Sequence, residues 1–172
     1  MRRAGRVLSG LVLALPLCLL TTSALRGQDI PQLPDVDHVV VRKADRTMTL
    51  YSKGAAVHTI TGIQLGDAPA GHKRFEGDER TPEGRYTLDY GNPGSAYYLS
   101  LHISYPNAAD RAYAQARGRS PGGLIFIHGQ PNSLPAGRIP GDWTDGCIAV
   151  SNAEMDALWE ATADGTTIDI LP

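Results

Sequence analysis

The chain has 172 residues, and its 16 Lys and Arg against 18 Asp and Glu give a formal net charge of −2. A near-neutral chain without a basic run is poorly suited to nucleic acid, because phosphate neutralisation requires clustered Lys and Arg. The length predicts a single domain, large enough to bury a core without disulfides or structural metals.

The first 24 residues predict an export signal. A basic start precedes an apolar run over residues 7–20, and small residues offer a cleavage site at Thr22-Ser23-Ala24. The run is short for a membrane-spanning helix, and an uncleaved anchor is the alternative. Cleavage would leave 148 residues without a membrane span, and losing three arginines would change the net charge from −2 to −5. Residues 25–37 are then a flexible leader before a domain over 38–172.

Most of that domain has the residue pattern typical of β-structure. Short runs rich in β-branched and aromatic residues alternate with Gly/Pro punctuation, and Ser52-Lys53-Gly54 predicts a hairpin turn between the second and third of them. Residues 66–85 are polar and rich in Gly and Pro, so they predict a long connection. The predicted strands cover residues 39–41, 47–51, 57–63, 86–90, 97–103, 124–127, 148–150 and 166–171.

Two helices interrupt the strands. Asn107 is a predicted N-cap for an alanine-rich helix that Gly118 ends. Ser151 and Glu154 form a capping-box pattern at the start of a second helix. On that helix Met155, Leu158 and Trp159 share one face, which we interpret as core packing. The sequence therefore predicts a mainly β domain with short surface helices.

Cys147 is the one cysteine outside the predicted signal segment, since the other is Cys18. Exported proteins usually keep cysteines in disulfides, so a solitary one is either inert or a working thiol. It follows Thr144-Asp145-Gly146, after a 15-residue Pro/Gly-rich loop (129–143) that begins beside His128. Long loops in compact domains are often functional. An imidazole is the usual base for such a thiol, and the tight turn at Gly146 would present backbone N–H groups to an oxyanion.

These residues resemble the signature of YkuD-type L,D-transpeptidase catalytic domains, a histidine and a spacer followed by Ser/Thr-x-Gly-Cys. The stretch from Gly77-Asp78 through Arg80-Thr81-Pro82-Glu83-Gly84-Arg85-Tyr86 is also similar to that family. The resemblance implies a mixed-sheet, β-sandwich-like fold with flanking helices and no metal or organic cofactor. It implies that Cys147 is the nucleophile and His128 the base, with an oxyanion site at the N–H groups of Gly146 and Cys147.

The implied substrate is the carbonyl of an L-centre diamino acid in a peptidoglycan stem peptide, and the implied location is the periplasm or cell envelope. The thioester would pass to an amine of another stem, to the lysine of a murein-anchored lipoprotein, or to water. Asp145 and Ala149 depart from the commoner family pattern and resemble the branch of periplasmic murein-peptide enzymes, some of which hydrolyse. The candidate substrate-binding residues are His102, Arg138, Thr144 and Asp145, with Arg119 as a further cation.

Four functions stay open at this point. The first two are L,D-transpeptidation and L,D-endopeptidase or amidase hydrolysis by the same thiol. The third is a non-catalytic cell-wall binding module. The fourth is a redox sensor, which a low-pKa thiol would favour but the lack of a resolving cysteine disfavours.

Overall fold

The computed structural model describes residues 30, 32–134 and 136–172. The predicted signal segment and residues 25–29 and 31 of the predicted leader lie outside the described residues. The first strand begins at Val36, two residues before the predicted start of the domain. Within the described residues, no helix is both long and apolar enough to cross a membrane.

The described chain forms eight strands and two α-helices. In chain order they are β1 (Val36–Arg42), β2 (Thr47–Ser52), β3 (Ala55–Thr61), β4 (Gly84–Asn92), β5 (Ser100–Ile103), α1 (Ala108–Gln115), β6 (Ile125–His128), β7 (Ile148–Ala149), α2 (Asn152–Ala161) and β8 (Thr162–Leu171). The prediction of a mainly β domain with a mixed sheet and short flanking helices is confirmed.

All eight strands belong to one sheet, in the order β3-β2-β1-β8-β4-β5-β6-β7. The pairs β1–β8 and β6–β7 are parallel, and the others are antiparallel. The chain leaving β3 at one edge bridges to the other edge through Gln64 with Ala149 and Gly66 with Thr144. The sheet therefore curls, and residues 64–66, which follow β3, join its two edges.

The core lies against this curled sheet. Alternate residues of the strands point inward, as in β1, where Val39 and Val41 are fully buried while Val40 is half-buried. Helix α2 covers the core with Met155 and Leu158, and Trp159 packs at its edge, which confirms the predicted packing face. Asn107 and Ser151 are the N-caps of the two helices, as predicted. Both complete a capping box, which the sequence pattern predicted only at Ser151.

Most predicted strand boundaries differ from the observed ones by one to four residues, and local backbone conformation explains two of these differences. Residues 97–99 precede β5 instead of joining it, because Tyr98 adopts a left-handed φ of +69°. Leu124, at φ +56°, stays outside β6, which instead extends to His128. Strand β8 begins at Thr162 directly after α2, four residues earlier than predicted.

Candidate active site

The pairing of β6 with β7 brings the thiol and the imidazole together. The parallel register aligns Ile127 with Ile148 and His128 with Ala149. Cys147, one residue before β7, is therefore level with Phe126, which lies two residues before His128. Cys147 and His128 line the same cleft of about 630 Å³. The two residues that the sequence singled out are thus neighbours at one opening of the domain.

The Cys147 thiol is half-buried and held by backbone groups of the preceding strand. The N–H of Phe126 donates to Sγ at 3.4 Å, and the thiol lies 3.6 Å from the carbonyl oxygen of Leu124. Burial raises the pKa of Cys147, and the Phe126 N–H partly opposes this shift. The charge of Asp145 raises the pKa by a smaller amount, and that of Lys73 lowers it. The resting sulfur is therefore a neutral thiol. A redox sensor that depends on a low-pKa thiolate is disfavoured for the same reason.

The His128 imidazole is buried, with 4% of the residue exposed. Its Nδ1 lies 2.7 Å from the carbonyl oxygen of Gly129. Because a carbonyl oxygen only accepts hydrogen bonds, Nδ1 carries the proton and Nε2 of the neutral ring is free to accept one. Burial lowers the pKa of His128, although the Gly129 carbonyl partly opposes this shift. The site thus holds a neutral thiol beside a neutral base.

Two aromatic rings fix the imidazole plane. The centroid of Tyr97 lies 4.7 Å from that of His128, and the ring of Trp143 lies 5.6 Å away in an edge arrangement. Gly129 leaves room for this packing, since a Cβ there would lie 2.6 Å from Oδ1 of Asn152 and 2.8 Å from Cβ of Tyr98. These contacts limit rotation of the ring and fix Nε2 in one direction.

The turn before Cys147 is closed by its own threonine. Thr144 is buried, and its Oγ1 donates to the carbonyl oxygen of Cys147 at 2.7 Å and accepts from the Gly146 N–H at 3.2 Å. Its hydroxyl therefore shapes the turn. Asp145 is exposed and lines the cleft. Among the described residues, the Cys147 N–H donates to no protein acceptor.

Gly146 is required by its surroundings. Its φ is +121°, and a Cβ there would lie 2.4 Å from the carbonyl oxygen of Arg80. Gly66 packs against the same backbone segment, since a Cβ at Gly66 would lie 2.0 Å from the carbonyl oxygen of Glu79. The backbone of residues 79–80 therefore packs directly under the turn that presents the thiol. This contact explains structurally why the upstream stretch accompanies the Cys/His motif in this chain.

The long loop before the thiol is anchored by two buried glutamines that sequence reasoning missed. The Gln130 side chain donates to the carbonyl oxygen of Val150 and to Gln64 Oε1, and its Oε1 accepts from the Ile139 N–H. Gln64 donates in turn to the carbonyl oxygen of Gly141 at 2.6 Å. A glutamine in a Pro/Gly-rich loop gives no sequence signal for this role, because two of its partners, Gln64 and Val150, are 66 and 20 residues away.

The structure does not bring the other candidate cations to the thiol. His102 lies 2.6 Å from Asp89, stacks on Tyr90 and meets the edge of Phe126, which separates it from the cleft. Arg138 contacts Glu154 and the carbonyl oxygen of Gly62 at a different depression. Arg119 lies over the ring of Phe75. The lysine that lines the cleft is instead Lys73, which sequence reasoning also missed.

A second, smaller cleft of about 290 Å³ also reaches the two catalytic candidates. Tyr97 and Leu124 line both clefts. The smaller cleft adds Phe126, and the larger one adds the charged residues Lys73, Glu76, Glu79 and Asp145. The thiol can therefore be approached from two sides of different character. Within residues 30, 32–134 and 136–172 no group of three His, Cys, Asp or Glu side chains is arranged to hold a metal ion.

Comparison with known proteins places the chain in a family. Residues 36–170 match the family model of the YkuD L,D-transpeptidase catalytic domain. The chain belongs to the YkuD family. Within that family it is 28% identical over 128 residues to the Escherichia coli K12 protein named "Putative L,D-transpeptidase YafK", covering 72% of this chain and 46% of that one.

Solved structures share the fold. The helical cell shape determining protein Pgp2 from Campylobacter jejuni is 29% identical with a TM-score of 0.63, over 84% of this chain and 51% of Pgp2. An L,D-transpeptidase from Xylanimonas cellulosilytica is 18% identical with a TM-score of 0.51, over 81% and 62% of the two chains. The YkuD chain described here spans about half the length of YafK and of Pgp2.

The neutral resting state of the YkuD site predicts slow alkylation of Cys147 near neutral pH. Because burial disfavours the thiolate, its formation requires a higher pH than in a simple thiol. We expect the iodoacetamide rate at pH 7 to be at least several-fold below that of free cysteine and to rise through a midpoint at higher pH than that of free cysteine. The same protein unfolded in urea should give the ordinary thiol profile. Folded protein that reacts as fast as free cysteine at pH 7 would instead indicate a thiolate–imidazolium pair.

Proposed function

We propose that this protein is a cysteine-dependent L,D-transpeptidase that acts on peptidoglycan stem peptides through a thioester acyl-enzyme. One observation carries the proposal: Cys147 and His128, whose Nδ1 is held by the Gly129 carbonyl oxygen, line one cleft in a chain of the YkuD family. The basic, apolar start of the sequence supports action outside the cytoplasm, in the periplasm or cell envelope, where peptidoglycan lies.

In the first half-reaction the sulfur attacks the carbonyl carbon of the L-centre diamino acid as His128 Nε2 takes the thiol proton. The carbonyl oxygen becomes an oxyanion, which the backbone N–H of Cys147 would stabilise, joined by that of Gly146 once it releases Thr144. The bond from the carbonyl carbon to the D-amino-acid nitrogen then breaks. His128 returns the proton to that nitrogen, and the acyl group remains on sulfur.

A neutral starting pair suits this sequence of steps. Because Nε2 is unprotonated and the thiol keeps its proton, transfer occurs only when a carbonyl is in place to receive the electron pair of the sulfur. Tyr97 and Trp143 hold the imidazole for both transfers. The reaction needs no group that the protein's own residues do not provide.

In the second half-reaction an amine attacks the thioester while His128 accepts its proton and returns it to the leaving sulfur. The two clefts that meet at Cys147 support transfer, because a donor stem and an acceptor amine can then approach from different sides. The acceptor is an amine of a neighbouring stem or the lysine of a murein-anchored lipoprotein. Water in the acceptor cleft would give the L,D-endopeptidase or amidase reaction.

Mass analysis of defined stem peptides after incubation with the full chain tests this proposal. We expect a thioester adduct on Cys147, release of a D-amino acid, and cross-linked or D-amino-acid-exchanged products. The Cys147→Ala protein should give neither adduct nor product. Shortened monomers or released lipoprotein peptides as the sole products would indicate hydrolysis instead of transfer. Binding to sacculi without turnover would indicate a non-catalytic wall-binding module instead of an enzyme.

A further inference from the structure

The domain buries two lysines, and their hydrogen bonding differs. Lys43 is 2% exposed and its Nζ donates to three acceptors, which are the carbonyl oxygens of Gly71 and Thr81 and the carboxylate of Glu83. Lys73 is 3% exposed, and its Nζ reaches two acceptors, the carbonyl oxygen of Phe75 at 3.2 Å and Asp78 Oδ1 at 2.9 Å. An ammonium carries three donors, so Lys73 has one more than its described protein partners accept.

Lys73 is rigidly placed beside the thiol. It lines the larger cleft together with Cys147 and His128. Its partner Asp78 accepts the N–H groups of Arg74 at 2.6 Å and Phe75 at 2.9 Å. Burial acts to raise the pKa of Asp78, but these backbone groups and Lys73 together hold it below its usual value. The carboxylate therefore stays ionised and keeps the ammonium in one position at the cleft wall.

Lys73 is also the cation that the catalytic cleft provides. Arg138 and Arg119 are engaged elsewhere, with Glu154 and the ring of Phe75. The exposed carboxylates of Glu76, Glu79 and Asp145 line the same cleft and disfavour an anion, but solvent screens them. Lys73 is buried, unlike these carboxylates, and in such a poorly hydrated wall a hydrogen bond to a charged acceptor is stronger than at the surface.

We propose that Lys73 is the carboxylate-binding residue of this site, whose third N–H donates to a carboxylate of the bound stem peptide. The inference rests on the proposed function for the identity of the peptide. It supplies the partner that a substrate carboxylate lacks in the sequence around Cys147, where no basic residue follows the thiol. Asp78 orients the ammonium and is a positioning residue.

Binding to an inactive protein tests the assignment without turnover. The Cys147→Ala protein is titrated calorimetrically with a stem tetrapeptide and with analogues in which one carboxylate at a time is an amide. We expect one amide to weaken binding on the order of 10-fold or more, since hydrogen bonds to charged groups are the strong class. That analogue shows whether the bound carboxylate is terminal or belongs to an internal residue. Equal binding of every analogue would overturn the proposal.

Lys73→Met in the same background should bind the carboxylate and amide forms equally. Lys43→Met is the matched control, because it breaks a comparable buried ion pair away from the cleft and should preserve the preference. If Lys73→Met folds poorly, the comparison of carboxylate and amide ligands on the Cys147→Ala protein, which keeps Lys73, still tests the proposal. A preference that survives Lys73→Met in folded protein, or that Lys43→Met abolishes equally, contradicts the assignment.

A probe that needs no peptide separates this inference from the proposed function. The ratio of Cys147 alkylation by iodoacetate to that by iodoacetamide reports a cation near the sulfur, because the reagents differ in charge. We expect Lys73→Met to lower this ratio several-fold and Lys43→Met to leave it unchanged. If Lys73→Met lowers the ratio but the unsubstituted protein does not turn over stem peptides, the anion site is supported and the proposed enzymatic function is rejected. An unchanged ratio would reject the anion site alone.

Discussion

Replacement of His128 by glutamine is expected to lower the turnover of stem peptides by about 10³-fold, within the range that general base catalysis contributes. Glutamine retains a buried polar side chain but cannot accept and return a proton near neutral pH. The neutral thiol of Cys147 then has no acceptor for its proton when it attacks. Single-turnover formation of the thioester adduct, followed by mass spectrometry, measures the loss directly.

His102→Gln is the matched control for that experiment. His102 lies in the neighbouring strand, pairs with Phe126 in the β5–β6 register and carries its own carboxylate partner, Asp89. It does not line either cleft at the thiol, so its replacement should change turnover less than twofold. Equal losses from the two substitutions would mean that His128 contributes through packing rather than proton transfer. Full activity of the His128→Gln protein would remove the dyad from the mechanism.

Gly146→Ala is expected to lower the free energy of unfolding by about 3 kcal/mol or more. A non-glycine residue at φ +121° is strained, which costs roughly 1–3 kcal/mol. The added methyl would also overlap the Arg80 carbonyl oxygen, 2.4 Å from its ideal position, and overpacking costs a similar amount. Thermal unfolding should therefore show a fall in Tm on the order of 10 °C.

The activity of folded Gly146→Ala protein should fall at least 10²-fold, because relief of the overlap shifts the turn that presents Cys147. Gly165→Ala separates backbone strain from steric overlap, since Gly165 has φ +92° with no atom within 4 Å of an added Cβ. It should show the backbone cost alone, at or below about 3 kcal/mol, with unchanged activity. Equal effects at the two glycines would show that packing against residues 79–80 is unimportant.

The exposed surface around the thiol differs from the rest of the domain. Tyr97 and Leu124 are two of the three exposed large hydrophobic residues described, and both line the clefts at Cys147. The larger cleft adds charged walls and the smaller one an apolar wall. A peptide with alternating charged and apolar groups would find matching partners on the two sides, consistent with the stem peptides of the proposed reaction.

Much of the fold could be read from local patterns. The hairpin of β2 and β3, the N-caps at Asn107 and Ser151, and the packing face of α2 all depend on residues within a few positions of one another. Such patterns report which conformation buries apolar side chains and satisfies backbone groups locally. Boundaries failed where a single residue took a left-handed φ, as at Tyr98 and Leu124, because non-glycine residues give no sequence signal for it.

The sequence by itself determined the two residues of the candidate dyad, because the motif around Cys147 and the position of His128 identify a thiol and a base by type and spacing. It could not determine their surroundings. Lys73 and Trp143 meet Cys147 and His128 in one cleft, and Gln130 meets Gln64 and Val150, only when the curled sheet closes. The proton location on His128, the burial of the Cys147 thiol and the place of Lys73 in the cleft wall depend on burial and direction, and only the tertiary structure sets those quantities.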